Sequence, residues 1–107
     1  MATFSDWVHP ITLYIAGREP LLEGDLKRLA LQALKTLPRH YPGLKILQQE
    51  IHPDRVELVL DFNRLDEDVS RVVLSFKSEV RNLARRKALS KDYLWNWGYE
   101  ESGLSGR

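Results

Sequence analysis

Arg55 and Glu57 are two charged side chains placed two residues apart in one extended run. Successive side chains of a strand point to opposite faces, so residues at i and i+2 share a face. Val56, Leu58, Leu60 and Phe62 form the apolar face of this run, and Arg55, Glu57, Val59 and Asp61 form the other. A carboxylate can offer oxygen to a hard divalent cation. A guanidinium stays charged and has no lone pair to donate. The pair therefore predicts an ion pair between Arg55 and Glu57 in place of a metal centre. His52-Pro53-Asp54 precedes the run as a turn, because proline presets φ and aspartate bonds the backbone beyond it. His52 is read as a turn residue beside this face. The histidines, His9, His40 and His52, have no histidine partner at i+2 or i+4, so no local metal motif appears. No glycine-rich phosphate loop or serine nucleophile elbow occurs. The absence of cysteine excludes disulfides, thiolate metal sites and thiol nucleophiles. No metal and no cofactor is expected.

A second chemistry lies in the distribution of charge. Between Arg71 and Lys91 there are seven lysines and arginines against Glu79 alone, a net +6 in a chain whose total is +1. A basic segment in a near-neutral protein is an electrostatic footprint for a polyanion; its other reading is a solvated helix face. Residues 69–88 read as a helix whose apolar stripe is Val69, Val72, Val73, Phe76, Val80, Leu83 and Ala84. Arg71, Arg81 and Arg85 centre opposite that stripe, and Lys77 sits at its border. Lys77, Ser78, Arg81, Arg85 and Arg86 are the expected phosphate contacts, because phosphates are read by charge. Beyond the helix Tyr93, Trp95, Trp97 and Tyr99 alternate, as on a strand with one aromatic face. Trp95, Trp97 and Tyr99 could stack unpaired bases or form a sheet edge that pairs with a second copy. Packing against a neighbouring element is the third use of such a face.

The elements that must position these residues follow from periodicity. At 107 residues the chain is expected to form one domain over 1–101, with 102–107 a flexible tail. Its 43% hydrophobic and 29% charged residues fit a globular chain and not a disordered one. No apolar run is long enough to span a membrane and the N-terminus lacks a signal-peptide pattern, so a cytoplasmic location is expected. The first strand is expected over Trp7–Ile15 with Pro10 at its beginning. A helix follows over Leu22–Leu37, with Leu26, Leu29, Ala30, Ala33 and Leu34 on one stripe and Pro38 as its stop. The second strand runs over Leu44–Ile51, with Leu44 and Ile46 on one face and Leu47 and Ile51 on the other. The Arg55 strand, the basic helix and a last strand over Tyr93–Glu100 complete a βαββαβ order. That order is an α+β, ferredoxin-like pattern, an antiparallel sheet with two helices packed on it.

Three stretches resemble the single-tyrosine HUH transposases, of the insertion-sequence and REP-associated type. His52-Pro53-Asp54 with Val56, Leu58 and Val59 is similar to the turn and hydrophobic frame of that family's motif strand. Ser70-Arg71-Val72-Val73-Leu74-Ser75-Phe76-Lys77-Ser78 is similar to its Ser-x-Val-Val-x-Ser-Phe-Lys-Ser run. Tyr93-Leu94-Trp95-Asn96-Trp97-Gly98-Tyr99-Glu100 is similar to its Leu-Trp-Gln-x-Gly-Tyr-Tyr-Asp/Glu stretch. His9, Thr12, Arg18, Pro20, Leu21 and Leu22 resemble its first strand and basic turn.

The resemblance implies an HUH nuclease-type sheet, a homodimer, and binding of a DNA hairpin or single strand. It assigns a divalent metal to two histidines of the motif strand and the attack on phosphate to a tyrosine on a later helix. Arg55 and Glu57 stand at the two histidine positions, and the chain ends before a tyrosine helix. The expectation is a degenerate, catalytically inactive domain in which Arg55 and Glu57 are vestigial and the basic helix binds nucleic acid. The alternative is a homodimeric protein-interaction scaffold with a protein partner and no nucleic acid. An enzymatic reading keeps metal-dependent nicking through Glu57 and a relocated Tyr93 or Tyr99.

Overall fold

Alternation builds the two central strands. In β1 (Val8–Tyr14) Ile11 and Leu13 are buried, followed by Ile15 just past its end, and in β3 (Arg55–Asp61) Val56, Leu58 and Leu60 are buried. The residues between them face the other way. The computed structural model describes residues 7–63, 66–87, 94–96 and 98–101. Within these, β1, α1 (Gly24–His40), β2 (Lys45–His52), β3, α2 (Val69–Arg86) and β4 (Glu100–Glu101) follow in order. The four strands form one sheet in the order β2-β3-β1-β4, with every pairing antiparallel. This is the α+β arrangement that the element order predicts.

Both helices close the same face of the sheet. Leu26, Leu29, Ala30, Ala33, Leu34 and Leu37 of α1 and Val72, Val73, Phe76, Val80, Leu83 and Ala84 of α2 join the inward residues of β1 and β3 in one core. Spacing of three and four puts each set on one stripe of its helix. The opposite face of the sheet carries Thr12, Tyr14, Arg55, Glu57 and Val59 and is lined by strand residues. No helix among the described residues is long and apolar enough to cross a membrane.

Four features differ from the sequence reading. Helix α1 begins at Gly24, because Leu22 is held in an extended segment by its N–H bond to Pro53 O at 2.8 Å. It also continues through Pro38 to His40. A proline this close to the end forfeits one bond only, and the next N–H pairing survives as Tyr41 N–H to Leu37 O at 3.2 Å. Pro10 lies inside β1, opposite Val59. Tyr14 O accepts from Asn96 on the β4 side, so the even-numbered backbone groups of β1 face β4. Among the described residues β4 pairs with Ile11 and Thr12 and not with Pro10, so the missing donor of Pro10 breaks no described ladder bond. Finally, β2 carries a register shift between Ile46 and Gln48. Ile46 lies opposite Leu60 and Ile51 opposite Val56, so both turn to the core, while Leu47 is left 49% exposed. A bulge of one residue switches strand parity, which is why Ile46 and Ile51 share a face here and not opposite ones.

Candidate functional site

The turn Pro53-Asp54 sets the geometry of the open sheet face. Counting back from it, His52 pairs with Arg55, Ile51 with Val56, and Glu50 with Glu57. On the far side Tyr14 pairs with Arg55 and Thr12 with Glu57. Glu57 is therefore flanked by Thr12 and Glu50, and Arg55 by Tyr14 and His52. The expected ion pair is present: Arg55 Nε donates to Glu57 Oε2 at 2.9 Å. It extends further than the sequence reading gave. Arg55 Nη1 donates to Asp54 Oδ1 at 2.8 Å, and Arg18 Nε and Nη2 donate to Asp54 Oδ2 at 3.0 and 2.9 Å. The Arg18 guanidinium also lies 4.7 Å over the Tyr14 ring, a cation–π contact. Arg18, Asp54, Arg55 and Glu57 form a continuous run of alternating charge.

Each carboxylate in that run is shifted. Loss of solvent raises the Asp54 carboxyl, but the hydrogen bonds from Arg18 and Arg55 outweigh it and hold it below the usual carboxylate value. The Arg55 hydrogen bond does the same to Glu57, against a smaller opposing effect of burial. Arg55 itself is pushed up, first by its bond to Glu57. Both carboxylates have folded values below their unfolded ones, so the stability they add is present above the ordinary carboxylate range near about pH 4 and is lost as pH falls through the folded values. Thermal melts between pH 6 and pH 2 should show a falling acid limb, and Arg55→Gln should flatten it. An equal slope in the variant would assign acid unfolding to other groups. Water screens these pairs, so the difference is a small part of total stability.

The metal of the resemblance does not fit positions 55 and 57. The guanidinium of Arg55 has no lone pair, and it occupies one oxygen of Glu57. His52, read from sequence as a turn residue, points into this face: its Nε2 lies 3.5 Å from Glu57 Oε1. The signal was available in the two-residue turn, which fixes the pairing of the residues around it.

The basic helix divides into two groups. Arg81, Arg85 and Arg86 are exposed on α2, and Ser78 is half-buried. Lys77 leaves the set of phosphate contacts. It is 9% exposed, and its ammonium donates to Asn96 O at 2.9 Å and to Gly98 O. Burial pushes this ammonium below the usual lysine value. The aromatic segment packs beside it. Trp95 Nε1–H donates to Lys77 O at 3.2 Å, the Trp95 ring packs 5.8 Å from Phe76, and its backbone forms a single bridge with Ile15. These contacts make Trp95 a half-buried packing residue, the third of the uses its alternation allowed. Tyr99 packs against the core, with its hydroxyl held above the usual value by burial and by Glu101 and Asp68. Among the described residues the regular pairing in this segment is β4, Glu100–Glu101. Tyr93 and Trp97 lie outside the described residues. Because α2 packs on one face of the sheet and Glu57 stands on the other, Arg81 and Arg85 lie on the opposite side of the molecule from Arg55 and Glu57.

The described fold is transposase-like: two solved transposase structures share it. It matches the structure of a REP-associated tyrosine transposase bound to a REP hairpin with a TM-score of 0.74 and 14% identity, over 95% of this chain and 61% of that one. It matches a putative transposase from Deinococcus radiodurans R1 with a TM-score of 0.76 and 17% identity, over 99% of this chain and 88% of that one. At these identities the likeness is one of fold. The chain spans about three fifths of the length of the hairpin-bound transposase. No protein-family model and no curated protein sequence matches it.

Proposed function

We propose that this chain is a nucleic-acid-binding domain of transposase type that does not carry the metal-dependent cleavage of the resemblance. Its ligand is a DNA hairpin or a single strand, held through Arg81, Arg85 and Arg86. The observation that carries this reading is the exposed run of arginines on α2, in a fold shared with a transposase bound to a hairpin. Such contacts need charge and reach and no metal. Arg55 at a metal position is the reason to read cleavage as lost.

Fluorescence anisotropy with hairpin, single-stranded and duplex DNA at two salt concentrations, with and without Mn²⁺, tests it. Binding that weakens steeply with salt and ignores Mn²⁺ supports it. No binding at low salt refutes it. Formation of a covalent tyrosine–DNA adduct would restore the enzymatic reading.

A second reading, a homodimeric scaffold, rests on strand β2. It is an outer strand of the sheet, and its Leu47 is 49% exposed. Among the described residues no strand pairs with its outer edge, and such an edge, eight residues long, can pair with a second copy. Light scattering of the intact chain distinguishes the two masses.

A further inference from the structure

The open sheet face carries a second cluster that the vestigial positions do not describe. Glu50, His52 and Glu57 each offer one ligand atom, and these atoms lie within 4.8 Å of one another. Glu50 and His52 come from β2 and Glu57 from β3, so only Glu57 stands at a position that the resemblance assigns to a metal.

We propose that Glu50, His52 and Glu57 bind a divalent transition-metal cation of the Zn²⁺ type. Three observations lead there. The first is an under-satisfied atom: His52 Nε2 is shut off from solvent and makes no hydrogen bond of ordinary length, its nearest partner being Glu57 Oε1. A buried polar atom without a partner is costly and calls for an explanation. The second is a distance. The 3.5 Å between His52 Nε2 and Glu57 Oε1 is long for a hydrogen bond. Two ligands at Zn–N and Zn–O lengths of about 2.0–2.2 Å and a tetrahedral angle stand about 3.4 Å apart. The third is a repulsion. Glu50 and Glu57 are direct cross-strand partners, and like charges placed so destabilise a sheet. A cation between them removes that cost.

Arg55 shapes the site and leaves it open. It holds Glu57 Oε2, so Oε1 alone faces His52. The three carboxylates of Glu50, Asp54 and Glu57 outnumber Arg18 and Arg55 by one negative charge, which suits a cation. Glu50 is exposed, so no core packing fixes its carboxylate. One imidazole nitrogen with carboxylate oxygens favours Zn²⁺ and its neighbours over Mg²⁺, which prefers oxygen and retains its water. Three protein ligands leave the fourth position to water.

Calorimetric titration of the chelator-treated full chain with ZnCl₂ and with MgCl₂ tests the site without any nucleic acid. One equivalent of Zn²⁺, bound at least tenfold tighter than Mg²⁺, is the expected result. His52→Gln and Glu50→Gln should each weaken Zn²⁺ binding at least tenfold, while Arg55→Gln, which frees Glu57 Oε2, should not weaken it. Histidine-ring NMR on the unsubstituted chain should show Zn²⁺ moving the His52 resonances ahead of those of His9 and His40. Absence of stoichiometric Zn²⁺ binding, binding indifferent to His52→Gln, or a shift confined to His9 or His40 would overturn the proposal.

Discussion

Lys77→Met is expected to destabilise the protein by about 2 kcal/mol and to loosen the 94–101 segment before the rest of the sheet. Methionine keeps the apolar stem among the buried residues of α2 but removes the ammonium. Two hydrogen bonds to carbonyls then disappear, those to Asn96 O and Gly98 O. A hydrogen bond to a charged group contributes roughly 1.5–3 kcal/mol. The sum of two overstates the loss. Asn96 and Gly98 are exposed, so their carbonyls recover water, and the buried ammonium already carries a desolvation cost that methionine lacks. For a domain of this size about 2 kcal/mol lowers the melting temperature by roughly 10 °C. Urea denaturation gives the free energy. Amide hydrogen exchange locates it: Ala16 N–H, which bonds to Leu94 O, should lose protection while Ile15 N–H, which bonds to Asp54 O, keeps it. Equal loss at both amides would mean that the lysine supports the whole core and not this segment. A variant as stable as the parent would mean that the carbonyls gain nothing from the ammonium beyond what water gives them.

Lys77 also shows where the sequence could be read and where it could not. The period of α2 was legible, because Val72, Val73, Phe76, Val80 and Leu83 recur at three and four. The same wheel put Lys77 at the stripe's border, and a lysine there reads as one more surface cation. Its partners lie nineteen and twenty-one residues further on, on a stretch whose path no local pattern encodes. For Trp95 the choice among stacking, edge pairing and packing was open for the same reason. Its alternation with Tyr93, Trp97 and Tyr99 was real in sequence, but the indole N–H had to find an acceptor, and it found Lys77 O. The Arg55–Glu57 pair was legible because both members share one strand face. Glu50 and His52 were equally available, since the turn fixes their pairing by counting, yet they become visible only when β2 and β3 are read as one hairpin. The bulge at Leu47 was not available at all. Nothing in Ile46-Leu47-Gln48 marks an extra residue, and only the demand to bury both Ile46 and Ile51 against the same core imposes it.

The double variant Arg81→Ala/Arg85→Ala is expected to weaken hairpin binding by an order of magnitude or more near 0.1 M salt and to flatten its salt dependence. The two arginines are four residues apart on the exposed side of α2, so they present neighbouring charges to one backbone. Each phosphate neutralised contributes about 0.9 to the log–log salt slope on a duplex stem and about 0.7 on a single strand. Loss of two contacts therefore lowers the slope by roughly 1.4–1.8. Neither side chain packs in the core, so the variant should melt as the parent does, and the loss cannot be charged to unfolding. Arg55→Ala is the informative control. It removes a positive charge from the other side of the helix–sheet sandwich, where Asp54 and Glu57 already neutralise it. Binding through α2 predicts an unchanged slope in that control. The reverse pattern, a slope lowered by Arg55→Ala and indifferent to the double variant, would put the nucleic acid on the open sheet face. The arginines of α2 would then be solvated charge, and the Glu50–His52–Glu57 cluster would lie under the bound strand.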